Sequence, residues 1–264
     1  MTLYNQRFYR EAMGKDRFFS ITLSVEESDL WIGWNGAKEE EDPQFASELQ
    51  SWACHALERL RAPLRRYVAD HPTFLTTLES WPSDLSASPL VQTLLRSSQN
   101  VGVGPMAAVA GGIAEALGVE LVDTFHFQEL VIENGGDLWI SVRSPLRVSV
   151  YAGLSSLSGK IGITVLPEHS PCGVACSSGT VGPSKSFGRA DAAVVVCKSA
   201  PSADAWATAL GNRIRYQRDL LPAVNGLWDL GRQETLGEDD KIMGILAILA
   251  DRMAAVGTVP IGGL

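Results

Sequence analysis

Residues 171–212 read PCGVACSSGTVGPSKSFGRADAAVVVCKSAPSADAWATALGN, and this stretch sets the reading of the whole chain. A loop dense in serine and glycine, Cys176 to Gly188, gives way to an apolar run, Ala192 to Cys197, and then to an alanine-rich segment. The order is loop, buried strand, helix. Pro201 fits the first helical turn, where its missing N–H costs nothing, and the alanines from Ala203 to Ala209 are strong helix formers. Asp204, Thr208 and Asn212 follow one another at four-residue steps and so share one helix face. Ala203, Ala207, Leu210 and Ile214 can face a sheet.

A carboxylate and a hydroxyl one turn apart can supply two hard oxygen ligands to Mg²⁺, an ion that completes its shell from water and substrate phosphates. The same two residues also fit a plain structural role. Asp204 can be a first-turn carboxylate favoured by the helix dipole, and Thr208 a hydroxyl bonded back to its own helix. Spacing leaves both readings open.

Other parts of the chain extend the pattern. Val131 to Leu138 (VIENGGDL) is a short strand running into an Asn-Gly turn, and Leu138 to Val142 leaves it. Val101 to Gly118 (VGVGPMAAVAGGIAEALG) has a Gly-Pro opening followed by small residues, which predicts a helix packed tightly at its start and closed at Gly118. Its N-terminal amides can cradle a phosphate, or its small residues can serve close packing alone. Neither a dinucleotide fingerprint nor a P-loop is present, because Gly102-Val-Gly104 lacks the third glycine.

Ser178-Gly179, the strand 192–197 and Ala203-Asp-Ala-Trp-Ala-Thr-Ala209 resemble, in that order, the C-terminal signature of the ApbE family, the Mg²⁺-dependent FAD:protein FMN transferases. The chain is more closely similar to an uncharacterised, cytosolic ApbE-related family through Val103 to Gly112, Glu133 to Asp137 and Ser177 to Gly182. The resemblance implies an ApbE-like fold, Mg²⁺ held by Asp204 and Thr208, and FAD as the flavin ligand with a protein threonine or serine as acceptor. The implied ligand-binding residues are Gly104, Met106, Asn134, Gly135, Gly136, Asp137, Ser177, Ser178, Gly179, Thr180, Ser186, Gly188 and Asp191. One departure stands out. Transferases of this family carry a histidine between the Ser-Gly loop and the next strand, and Thr180 to Gly188 contains none. His169 and Lys185 are the substitutes nearest in sequence, so the catalytic residues stay open. A binder that holds a nucleotide or phosphorylated metabolite in the same cleft without transfer is the alternative. Hydrolysis through Ser177, Ser178 or Cys176 lacks a neighbouring base or nucleophile elbow.

Composition sets bounds. At 264 residues without a low-complexity linker, one domain over residues 1–264 is the simpler reading. A net charge of −8 with scattered Lys and Arg argues against nucleic-acid binding. The first residues, MTLYNQRFYREAM, lack an apolar signal core, and the apolar run Ile242 to Ala250 is too short to span a bilayer, so the expected location is the cytoplasm with no membrane partner. The four cysteines follow no disulfide or zinc pattern, and Cys197 reads as core filler.

The remaining elements predict α+β architecture, a largely antiparallel sheet with packed helices. Phe18 to Val25 and Asp29 to Trp34 form an opening hairpin. Pro43 to Asp70 carries a helical apolar stripe, with Pro63 expected to kink or end it and Arg59, Arg61, Arg65 and Arg66 as its solvated face. The acidic run Glu39 to Asp42 before it reads as a solvated loop. Pro89 to Gln99 is a second helix, 147–151 and 160–166 are strands, 219–224 is helical, and 243–256 is read as strand. Asp191 is expected either to cap the serine loop or to reach the pocket.

Overall fold

The computed structural model describes residues 10, 13–14, 16–37, 42–179 and 188–264. Among these, eight strands form one antiparallel sheet in the order β1 (Phe19–Val25), β2 (Ser28–Asn35), β3 (Glu129–Asn134), β4 (Asp137–Ser141), β7 (Cys172–Ser177), β8 (Ala192–Cys197), β9 (Ile242–Leu249) and β10 (Arg252–Gly257). A second, three-stranded antiparallel sheet pairs β5 (Leu146–Ser149), β6 (Ile161–Val165) and β11 (Ile261–Gly263). The α+β expectation holds.

Side-chain alternation along the strands divides the core. On one face of the large sheet, Ile32, Leu130 and Ile132 pack beneath α1 (Pro43–Asp70), α2 (Pro89–Gln99) and α3 (Val109–Phe125). Along the same face, Ala193, Val195 and Ala247 lie under α4 (Ala200–Arg213) and α5 (Leu220–Leu230). Their neighbours in sequence, Trp31, Val131, Val194 and Val196, point the other way and pack on the small sheet. That two-residue period gives one sheet two cores.

Several expectations are corrected. Pro63 does not end α1, which runs on to Asp70. Arg61 is not solvated: it is 8% exposed, bonded to Ser28, Glu26 and Glu27, because the hairpin turn folds its carboxylates onto the helix. The third helix does not stop at Gly118 but continues to Phe125, with His126 in the left-handed conformation (φ 57°) at its end. Together with the 3-10 turn before it, residues 105–125 are long and apolar enough to cross a membrane by composition. Half of that stretch is buried, and Ile113, Leu117 and Leu121 belong to the core above β3 and β4. The Asn-Gly dipeptide is also out of phase by one residue. Asn134 pairs with Asp137, and the central turn positions are Gly135 (φ 73°) and Gly136 (φ 107°), as a type I′ turn requires. Residues 1–9 and Glu39 to Glu41 lie outside the described residues, whereas Asp42 caps α1 through a bond from Gln44 N–H (2.9 Å).

Charged clamps tie the N-terminal segment to the sheet. Arg17 donates to both oxygens of Glu129 (2.9 and 2.7 Å), and Glu129 also accepts from the backbone N–H of Arg143 (2.9 Å) and Ser144 (3.1 Å). Burial pushes the Glu129 carboxyl up, but these donors outweigh it and bring it down to about 2. A depressed carboxyl contributes stability that is present above its unfolded value of 4.5 and lost as pH falls toward about 2. Arg17→Ala is therefore expected to cost on the order of 3 kcal/mol at neutral pH, because it leaves a buried carboxylate short of its counter-ion. Urea unfolding at a series of pH values checks this: the loss should shrink as the solution is acidified through that window.

Candidate functional site

The two helix groups meet above the middle of the sheet, where α3 and α4 converge over β7. Ala200, the first residue of α4, fits there because its neighbours are glycines. A Cβ on Gly111 would lie 2.3 Å from the Ala200 carbonyl oxygen, and one on Gly173 would lie 2.2 Å from the Ala200 Cα. The backbone N–H of Ala200 is capped from α3 by Glu115 (2.6 Å). Burial raises the Glu115 carboxyl, and that bond opposes the rise.

This close approach fixes Asp204. Its Oδ2 accepts from the backbone N–H of Gly111 at 3.0 Å, in the first turn of α3. Ala110, one residue earlier, is held through its carbonyl by Asn134 Nδ2 (3.1 Å). Two residues beyond the Gly135-Gly136 turn's start, Asp137 sends Oδ1 to the backbone N–H of Cys176 (3.1 Å). Asp204 and Asp137 are each only 9% exposed. Burial first, and the Asp137 charge second, push the Asp204 carboxyl well above the usual carboxylate range, with the α3 amides opposing. Two like charges thus share a poorly solvated place.

From Asp204 the polar row of α4 advances about 6 Å per four residues. Thr208 is half-buried, and its hydroxyl makes no hydrogen bond among the described residues, so it does not bond back to its own helix. The loop after β7 starts where this row leads. Ser177 and Ser178 are buried, Ser178 Oγ lies 3.5 Å from the Ala190 carbonyl, and Gly179 N–H donates to the same oxygen (2.9 Å). The returning leg leans on the end of α4. Arg189 N–H donates to the Ile214 carbonyl (2.7 Å), and a Cβ on Gly188 would meet the Gly211 oxygen at 1.7 Å. Thr180, Lys185 and Ser186 lie outside the described residues.

The other expected residues divide. Gly104 and the half-buried Met106 belong to the 3-10 turn leading into α3, and that turn lies against α4. Asp191 Oδ2 accepts from Ala250 N–H (2.6 Å), capping the β9–β10 turn in which Ala250 is left-handed. His169 sits before the first residue of β7, at the opposite end of that strand from Ser177, where Nδ1 accepts from Leu166 N–H (3.4 Å). Neither His169 nor any of the other three histidines contributes a hydrogen bond to Asp204 or Asp137. Burial and then the Asp137 charge push the Cys176 thiol up to about 12, which disfavours its thiolate at neutral pH.

What the sequence did not disclose is the partnership of Asp137 with Asp204, and the part played by Glu133. Glu133 Oε1 accepts from Gly136 N–H (2.8 Å) while Arg10 Nε grips Oε2 (2.6 Å), so the N-terminal segment latches the glycine turn. No local signal marks either pairing, because the partners are far apart in the chain.

The profile of the family described as "AbpE bacteria" matches residues 10–236. The chain belongs to this family. Its relatives include a "UPF0280 protein" of Methanosphaerula palustris, 40% identical over 81% of this chain and 86% of that protein. Another, from Methanocella arvoryzae, is 37% identical over 76% and 78%. Among solved structures, a mutant of flavin transferase ApbE from Vibrio cholerae superposes with a TM-score of 0.56 at 12% identity, covering 91% of this chain and 97% of that one. At that identity the likeness establishes the AbpE family's fold as ApbE-like.

The raised Asp204 carboxyl has a measurable consequence. An acid raised by folding contributes stability below its unfolded value, about 3.9, and that contribution is lost as pH climbs. At pH 7 and without added metal, Asp204→Asn, which keeps an oxygen for Gly111, is expected to melt higher than the parent. The rise should be about 2–4 °C for each kcal/mol relieved, and calorimetry across pH should show the gap closing in acid. A lower melting point for the variant would contradict the electrostatic account.

Proposed function

We propose that this AbpE-family protein binds a flavin nucleotide, FAD, with Mg²⁺ at Asp204, and that its reaction is transfer of the FMN moiety to a serine or threonine hydroxyl of an acceptor protein. The observation that carries the reading is the buried Asp137–Asp204 pair facing the first turn of α3. Two buried carboxylates, Asp204 pushed up in part by the charge of Asp137, beside a Thr208 hydroxyl with no hydrogen bond among the described residues, are a donor set that suits a small hard cation. Bound there, Mg²⁺ would neutralise pyrophosphate charge as it develops during transfer.

The chain's own groups supply the rest. Ser177, Ser178 and Gly179 border the place where the row from Asp204 through Thr208 leads, and their hydroxyls and amide can meet phosphate oxygens. The Gly135-Gly136 turn, clear of side chains and fixed by Glu133, offers backbone to a flat ring. Transfer joins the acceptor oxygen to the FMN phosphorus and breaks the bond to AMP, which leaves; the hydroxyl proton must go to a base. No histidine stands at the pair, and this favours a second reading, a binder of the same nucleotide that does not transfer it.

Purified protein given FAD and Mg²⁺ should release AMP. In Asp204→Asn, release is expected to fall about 10²- to 10³-fold, the several kcal/mol that metal stabilisation of transferring charge contributes. Mg²⁺-dependent FAD binding without AMP would select the binder. Absence of any FAD binding, with or without Mg²⁺, would refute both.

A further inference from the structure

On the side of α4 turned away from Asp204 lies an opening of about 270 Å³, between the end of α2, α4 and the segment after α5. Trp206 and Arg213 of α4 line it together with Asn100, Gln233 and Thr235. Leu230 and Leu236 complete one wall. On a helix of 3.6 residues per turn, Trp206 and Arg213 fall roughly opposite Asp204, so this opening and the carboxylate pair use different faces of one helix.

Its rear wall is rigid. Trp206 Nε1 donates to the Asp240 carbonyl (3.2 Å), and Asn100 Nδ2 donates to Asp240 Oδ2 (3.3 Å). Ser202 Oγ donates to Asp240 Oδ1 at 2.5 Å, and Arg96 Nε stands 3.7 Å from Oδ2. The nearby carboxylate is thus already supplied with donors. Its attachments hold the indole and the Asn100 amide in place.

The lining groups are otherwise unused. The exposed Arg213 side chain forms no ion pair or hydrogen bond among the described residues, as is also true of the side chains of Arg66, Arg143, Arg147 and Arg252, but Arg213 is the arginine that lines this opening. Gln233 and Thr235 side chains also have no bond among the described residues. Arg213 is solvent-exposed, and the part of its guanidinium that lies against the cavity is lowered below its ordinary value by partial desolvation, with no neighbouring carboxylate opposing.

We propose that this cavity binds a small organic oxyanion, a carboxylate or phosphate, with Arg213 meeting the charge and Asn100, Gln233 and Thr235 reading the polar body. A guanidinium fork matches either oxyanion bidentately. The carbonyls at the end of α4 repel an anion, so the attraction depends on Arg213. The volume lies just under the usual range of about 300–1,000 Å³ for ligand sites, which selects a small metabolite over a dinucleotide.

The test is thermal melting and calorimetric titration of the intact protein with inorganic phosphate and with succinate, against sodium chloride at matched ionic strength. One or both probes should bind, and a probe at ten times its Kd should raise the melting point by about 3–6 °C. Which probe acts assigns phosphate or carboxylate. Arg213→Gln should abolish the response and Arg213→Lys retain part of it, while Asp204→Asn leaves it intact, separating this site from the flavin proposal. The inference is overturned if chloride matches both probes, if neither binds, or if Arg213→Gln responds as the parent does.

Discussion

The structure turns on how closely three backbones can approach at Ala200. Contact this close between α3, α4 and β7 is possible only because Gly111 and Gly173 present no Cβ to that residue. A methyl group at either place would overlap backbone, which cannot swing aside as a side chain can. The approach brings the first turn of α3 within hydrogen-bonding reach of Asp204, and the same helix position sets Asp204 against Asp137. Small residues in the helix starts are therefore a geometric requirement of the site as well as a packing convenience.

That geometry concentrates charge where solvent is scarce. Asp137 and Asp204 are both satisfied by backbone N–H groups, Cys176 and Gly111 respectively, which makes the pair tolerable without making it comfortable. Elsewhere the chain treats buried acids differently. Glu129 is surrounded by Arg17 and two amides, Glu133 is gripped by Arg10, and Asp240 is supplied by Ser202 and Asn100. Electrostatic tension is reserved for the carboxylates at the junction of the two helix groups.

Much of this was readable from the linear sequence. Periodicity gave α2 from Pro89 to Gln99 and the long α1, and alternation gave the opening hairpin, because local propensity and burial agree in those segments. The motif around Asp204 identified a polar row, since four-residue spacing on a helix is a local property. Long-range pairings were not legible. Gly118 looked like a helix stop because glycine often is one, yet it is glycine here to admit the Trp139 ring, from a strand not yet formed when the helix is read. Arg61 looked solvated because its acidic partners, Glu26 and Glu27, lie on a hairpin 35 and 34 residues away. His169 looked close to the serine loop because sequence distance ignores the length of β7, which separates them.

The large sheet has one further property. Its spatial order, β1 through β4, then β7 to β10, repeats the order of the chain, with the β5–β6 hairpin and the final β11 set aside into the other layer. Each strand therefore joins the free edge left by its predecessor, and none has to be threaded between two that are already paired. Such a sheet can be laid down from one side as the polypeptide leaves the ribosome, the longest closure being the helical excursion between Asn35 and Glu129. The carboxylate pair has to wait for α4, which brings its second member only by settling over β7 and β8, strands already laid down before it.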